Sequence, residues 1–191
     1  MVSISKISIA RATNLFVSLS LITLVSTGCD KIRLRTQVKK IMSSTIVLPK
    51  NTICIDGGEV FDMPDTLRKK AKMIVYVDSS ECVPCRITKM PMYKRILTKT
   101  EPYDVPLVIL LANRHFSGIP IAQYVSDIDL GIPIYVDLEN SFLEANPVVP
   151  KDVRLHAFLV NRQGNPVLVG DPVFLPEIDE LFGQVIRQMD K

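Results

Sequence analysis

The stretch VDSSECVPCRITKM, residues 77–90, joins a run of β-formers to a run with helical spacing, and two cysteines stand at the join. Upstream, MIVYV (73–77) is a continuous apolar run of strand length, the pattern of a strand buried on both faces. Downstream, Ile87, Met90, Tyr93 and Leu97 recur at helical spacing up to Lys99, with Pro91 placed to kink the helix. A buried strand that enters a helix through Cys82 and Cys85 constrains the fold more than any other feature of the chain.

The flanking segments extend this unit. VPLVILLA (105–112) and IPIYVD (132–137) read as further buried strands, and PIAQYVSDI (120–128) as a helix between them. HAFLVNRQGNPVLVG (156–170) is two apolar runs around a polar, glycine-containing turn, which predicts a hairpin. PEIDELFGQVIRQM (176–189) is amphipathic, with Pro176 at its start. Before the cysteines, TIVLP (45–49) and TICI (52–55) look like short strands, DGGEVFDMP (56–64) is turn-rich, and Asp65 is placed to cap a short helix through Lys70. Strands alternating with helices predict a parallel sheet, to which the hairpin adds antiparallel strands. The expected fold class is α/β: a mixed central sheet with helices on both faces.

The amino terminus reads as a targeting signal. Lys6 and Arg11 precede an apolar run from about Leu15 to Val25, which ends in Ser26, Thr27, Gly28 and Cys29. The run is shorter than the roughly 20 residues a transmembrane helix needs and has the length of a secretory apolar region. VSTGC resembles a bacterial lipobox, with Ser26 where an aliphatic residue is usual. That resemblance implies cleavage before Cys29 and lipidation of its thiol. The expected organisation is a lipoprotein signal peptide over 1–28, a tether and short helix over 29–44, and one domain over 45–191. Removing residues 1–28 takes Lys6 and Arg11 from the 23 basic residues and leaves 21 against 20 acidic ones. A nearly neutral domain has no electrostatic reason to bind nucleic acid or a membrane surface. The anchoring would come from lipid.

Export places Cys82 and Cys85 where a disulfide can persist. A cysteine at a helix start meets free N–H groups and the positive end of the helix dipole, which favour the thiolate. The residue three positions on can approach it, and Pro84 sacrifices no helical hydrogen bond there. Two buried cysteines acting as small apolar residues are the plainer alternative. A zinc site would need two more ligands, and His115, His156, Cys54 and Cys29 supply no second paired motif.

KMIVYVDSSECVPC, the proline-kinked helix, IPIYVD before an Asn-containing loop, and HAFLVNRQGNPVLVGDP together resemble the thioredoxin superfamily. The resemblance is nearest to the TlpA-like thiol-disulfide oxidoreductases of the bacterial envelope and the thioredoxin-like lipoproteins of Bacteroides-type bacteria, and it covers about residues 45–190. It implies a thioredoxin-like fold, with Cys82 as the attacking cysteine and Cys85 as the resolving one. Three departures stand out. Glu81 replaces the tryptophan usual before the first cysteine, and its carboxylate opposes the helix dipole. Tyr76 stands where the superfamily has a buried acid, which leaves Asp78 as a nearby candidate proton acceptor or a simple turn residue. Leu155 occupies the family's cis-proline position, where a cis bond would cost roughly 3 kcal/mol, so trans is expected. His156 follows and would lie beside the cysteines, able to tune Cys82.

The implied activity is protein-disulfide oxidoreduction, reduction rather than oxidation, without a cofactor or metal. The expected partners are exported cysteine-containing proteins and an electron donor. The expected location is a membrane-anchored one, facing the periplasm. Two rival functions use the same residues: copper handling by Cys82, Cys85 and His156, and a thioredoxin-fold binding module with little turnover.

Overall fold

The computed structural model describes residues 30–116, 118–126 and 131–189. The chain divides into two compact units, Met1–Lys39 and Lys40–Lys191. In the first, residues 30–39 are helical (α1). The segment expected to be a tether leading into a short helix is therefore helical from its first described residue. No described helix is long and apolar enough to cross a membrane. The proposed signal segment and Cys29 lie outside the described residues.

The second unit is built on a seven-stranded mixed sheet. Its strands are β1 (Thr52–Asp56), β2 (Glu59–Asp62), β3 (Lys72–Val77), β4 (Leu107–Ala112), β7 (Ile134–Asp137), β8 (Ala157–Val160) and β9 (Pro166–Val169). Their order across the sheet is β2-β1-β7-β4-β3-β8-β9. β3, β4 and β7 run parallel, with Val77 opposite Leu111 and Ile109 opposite Ile134, and β8 and β1 flank them antiparallel. A separate two-stranded ladder joins β5 (His115–Phe116) and β6 (Ile119–Pro120). The helices are α2 (Asp65–Lys69), α3 (Val83–Ile87), α4 (Lys94–Thr100), α5 (Ile121–Ser126), α6 (Phe142–Ala145) and α7 (Pro176–Met189).

Every residue of β3 and β4 is buried, as continuous apolar runs require. Alternation along the strands then sorts the core. Met73, Val75 and Val77 share one face with Leu107, Ile109 and Leu111, and pack with Ile87, Met90 and Ile96, with Ile121 of α5, and with Phe182 and Ile186 of α7. Ile74 and Tyr76 point the other way, where Tyr76 meets Phe142 of α6 with ring centroids 4.5 Å apart. The sheet thus carries helices on both faces, in accord with the sequence.

Four local expectations are corrected. TIVLP forms no strand. Its polar groups are taken by loops: Ile46 N donates to Gly164 O (2.8 Å), Val47 N to Asn146 Oδ1 (2.8 Å), and Asn146 Nδ2 returns a bond to Val47 O (2.9 Å). A Cβ on Gly164 would stand 2.9 Å from Ile46 O, so the hairpin loop requires glycine there. DGGEVFDMP is a turn only at Gly57-Gly58, both at positive φ, and EVFD continues as the exposed edge strand β2. Asp65 does not cap α2. Pro64 holds that position and Asp65 lies in the first turn, 3.7 Å from Arg68 Nε. The helix expected from Pro84 to Lys99 is interrupted rather than kinked. α3 ends at Ile87 and the chain restarts as a 3-10 turn, Met90–Tyr93, before α4. Pro91, which lacks an N–H, sits in the first positions of that turn, where none is needed.

Candidate redox site at the end of strand β3

β3 ends at Val77, and residues 78–81 fold into a closed turn. Glu81 N donates to Asp78 O (3.0 Å), while the Glu81 side chain turns back to accept from Asp78 N (2.9 Å). Asp78 accepts from Ser79 N (2.7 Å) and from the Ser80 hydroxyl (2.6 Å). DSSE is thus one half of a capping box, a signal present in the sequence and passed over there. Burial pushes the Asp78 carboxyl up, but the bonds from Ser80 and Ser79 outweigh it and hold the group below the usual aspartate value. With both oxygens engaged, Asp78 serves the turn and is a poor proton acceptor.

Cys82 follows this turn and is joined to Cys85 by a disulfide, with their Cα atoms 5.3 Å apart. Arg86 N donates to Cys82 O (3.1 Å), and the Thr88 hydroxyl to Cys85 O (3.1 Å). Both cysteines are exposed in this oxidised form. Cys85 is not shielded, because α3 is five residues long and turns Ile87, not Cys85, into the core. The short helix also weakens the dipole argument for the Cys82 thiolate, since few aligned peptide units stand behind it.

Charged side chains supply what the helix does not. Arg86 Nε lies 3.4 Å from Glu81 Oε2. The Glu81 carboxylate is 12% exposed and the Arg86 side chain 23%, so this pair is only partly screened by water. Arg86 offsets the anion that would otherwise oppose ionisation of Cys82. Arg114, beyond the end of β4, donates through Nη1 to the Ser79 and Glu81 carbonyls, the latter at 3.0 Å. Neither arginine was singled out in the sequence. The parallel register explains Arg114: Val77 lies opposite Leu111, so the residues three beyond that pair, Ser80 and Arg114, emerge together.

His156 comes to the same place. Its backbone carbonyl accepts from Tyr76 N (2.8 Å), and its ring lies 5.4 Å from the Tyr76 ring. Nε2 is 2.8 Å from Pro150 O. A carbonyl only accepts, so Nε2 carries hydrogen. Nδ1 is buried, has no hydrogen-bond partner, and faces Glu81 Oε1 at 3.9 Å. Tyr76 does not replace the missing acid. Burial, with the charges of Asp78 and Asp137, holds its phenol well above the usual tyrosine value, so it stays protonated. Leu155 is buried in a 3-10 turn, Val153–Leu155, and no described peptide bond is cis, the one before Leu155 included.

Beneath α3, Tyr93 donates its hydroxyl to Asp171 Oδ2, and Val173 N donates to Oδ1 at 2.9 Å. This bond ties the loop after β9 to the turn after α3. On that loop, Phe174 is 37% exposed, with Arg86 and Lys89 over its ring at 5.8 and 5.4 Å. Among the described residues, no group of three or more His, Cys, Asp and Glu side chains is arranged to hold a metal ion. Cys54 is buried in β1, away from any other described cysteine, and is not part of this constellation.

No protein-family model matches the sequence. No curated protein matches it either. Solved structures do resemble it. A crystal structure assigned as a thiol:disulfide interchange protein, DsbE, from Chlorobium tepidum aligns with a TM-score of 0.51 and 14% identity over 78% of this chain and 99% of that one. A solution structure assigned as a protein disulfide isomerase from Bacteroides thetaiotaomicron gives 0.49 and 19% over 76% and 88%. The exposed lipoprotein thioredoxin of Streptococcus pneumoniae gives 0.47 and 15% over 71% and 97%. The first of these matches carries the conclusion: the fold is thioredoxin-like, and Cys82 and Cys85 form a pair on it.

Proposed function

We propose that this protein is a thiol-disulfide oxidoreductase of the bacterial cell envelope, anchored through Cys29, that reduces disulfides in exported proteins. The observation that carries the reading is the exposed Cys82–Cys85 disulfide at the junction of β3 and α3. A disulfide exposed to solvent on a thioredoxin-like frame is open to attack by an incoming thiolate. The guanidiniums of Arg86 and Arg114 beside the turn favour a thiolate at Cys82.

In the proposed cycle an external dithiol first reduces the pair. The Cys82 thiolate then attacks a sulfur of the substrate disulfide. One S–S bond forms as another breaks, and the substrate's second sulfur leaves as a thiolate that takes up a proton. Cys85 loses its proton and attacks Cys82 in the mixed disulfide. The Cys82–Cys85 bond re-forms, and the substrate departs carrying two electrons. No cofactor takes part in these exchanges.

The test is trapping in cells. A Cys85→Ala variant should accumulate mixed disulfides through Cys82 that dithiothreitol releases, and the trapped proteins should be exported ones. A Cys82→Ala variant should trap far less. Equal trapping by the two variants would reverse or dissolve the assigned roles. A mature chain found without acyl groups at Cys29 would remove the proposed anchor.

A further inference from the structure

His156 Nδ1 and Glu81 Oε1 are two acceptors facing each other across 3.9 Å with nothing donated between them. The imidazole is 1% exposed and the carboxylate 12%. A buried polar atom without a partner costs free energy, and native proteins seldom leave one idle. What this contact lacks is one proton. Placed on Nδ1, it would turn an empty gap into a charge-assisted hydrogen bond, after a closure of roughly 1 Å to ordinary N–H···O length.

The other groups around the ring bear on when that proton arrives. Nε2 is committed to Pro150 O, so the imidazole can gain a proton only at Nδ1. Asp78 contributes a second negative charge nearby. Tyr76 presents a neutral ring. Asp152 and Arg154, on the turn just before His156, are paired with each other at 2.7 Å. Arg86, on the far side of Glu81, is the cation that satisfies the carboxylate in the oxidised state. Arg86 also follows Cys85 directly, and its N–H is bonded to Cys82 O. A thiolate at Cys82 would compete with Glu81 for this guanidinium, leaving Glu81 in need of another positive partner.

We infer that the Glu81–His156 contact is a one-proton site tied to the redox state of Cys82–Cys85: reduction of the disulfide fills it and oxidation empties it. The inference rests on the redox reading of the cysteine pair and makes His156 a positioning residue for that reaction. The exchange balances. A dithiol that closes to its own disulfide releases two electrons and two protons. The Cys82–Cys85 bond breaks, Cys85 takes one proton as a thiol, and Cys82 remains a thiolate. The second proton goes to His156 Nδ1, where the imidazolium pairs with Glu81.

A proton count separates this scheme from a structural role for His156. With the proton retained at Nδ1, the equilibrium between the protein disulfide and dithiothreitol releases none to solvent and is insensitive to pH. Without it, one proton is released, and the equilibrium constant rises tenfold per pH unit, equivalent to about 30 mV for a two-electron couple. The experiment measures that constant from about pH 6 to 8, spanning the ordinary histidine range, for the full chain and for His156→Gln and Glu81→Gln. The glutamine amide can still donate to Pro150 O and so keeps the structural bond. The native chain should change less than about threefold per pH unit and both variants close to tenfold. A proton NMR titration of the His156 ring should show its midpoint higher in the reduced protein than in the oxidised one. A native chain as steep as its variants, or identical ring midpoints in the two states, would overturn the inference. The ring titration decides the matter if a variant fails to fold. A protein that never equilibrates with dithiothreitol would instead sink the redox reading itself, and this inference with it.

Discussion

Arg114 Nη1 donates to the backbone carbonyl of Glu81 at 3.0 Å and thereby ties the end of β4 to the residue just before Cys82. The same nitrogen also reaches Ser79 O, so one guanidinium closes the turn from outside while the Asp78 and Glu81 side chains close it from within. The position of Cys82 is therefore set by three groups distant from it in function and, for Arg114, in sequence.

Replacing Arg114 by alanine should release the turn. Two carbonyls lose a charged donor, at a net cost of about 1–2 kcal/mol because the site is partly open to water. Urea unfolding would register that loss. The rate of attack by Cys82 on a small disulfide should fall by more than the stability change explains, because a nearby cation is lost as well. Arg114→Lys keeps the charge without the fork and should recover part of the rate. An alanine variant with native reactivity would show that the turn holds itself.

How much of this was legible beforehand depends on range. The buried runs MIVYV and VPLVILLA, the hairpin and α7 follow from period and turn chemistry within a few residues, and each appears where expected. The disulfide sits at the spacing that drew attention to it. Features set by long-range pairing were not legible. TIVLP has strand composition, but its backbone is matched by Asn146 and Gly164, roughly a hundred residues away. The Arg86–Glu81 pair depends on the short α3, and the 3.9 Å approach of His156 to Glu81, a finer feature than its expected place beside the cysteines, depends on β8 lying beside β3. Composition says nothing of either.

Cys54 should be inert in the folded protein. It is 2% exposed in β1, and burial is the main reason its thiol lies above the usual cysteine value, with a hydrogen bond to Tyr135 pulling the other way. Brief alkylation of the reduced native chain, mapped by mass spectrometry, should mark Cys82 and Cys85 and leave Cys54 unmodified until denaturant is added. Because both paired cysteines are exposed, their relative rates report ionisation rather than access, and Cys82 should be the faster. Early labelling of Cys54 would mean that the β1–β2 edge opens readily.

Lys72 opens β3 at 3% exposure, and its ammonium has Arg68 O as an acceptor at 3.1 Å. Burial, with the charge of Arg68 adding to it, brings the pKa down to about 8. The unfolded value is about 10.4, so between pH 8 and 10.4 the unfolded chain binds more protons than the folded one. Stability should therefore rise with pH across that window and be lowered below it, where the buried ammonium must be charged. Lys72→Met should stabilise the protein at pH 7 by on the order of 1–2 kcal/mol, after allowing for the lost bond to Arg68 O. The advantage should shrink as pH climbs through the window. A variant whose advantage is the same at pH 7 and pH 10 would show that packing, not charge, sets the difference.

The family resemblance read in the sequence sets Leu155 at a proline position, and the direct experiment is to place proline there. The structure argues that the chain has committed to leucine. The side chain is 3% exposed, and Leu155 N donates to Asp152 O at 2.9 Å to close the 3-10 turn that leads into His156. Proline removes that donor and fills less of the buried site. Each effect is unfavourable, and together they should cost roughly 3 kcal/mol. Leu155→Ala separates the terms, because it keeps the N–H and loses only the packing, at about 2–4 kcal/mol. The two variants should unfold at similarly lowered urea concentrations, but His156 should move only in the proline variant, since its position depends on the turn that the Leu155 N–H closes. The ring resonance of His156 reads that movement directly. A Leu155→Pro protein with native stability and a native His156 resonance would mean that the turn accepts proline freely, and leucine at this position would then be a matter of substrate choice, not of structure.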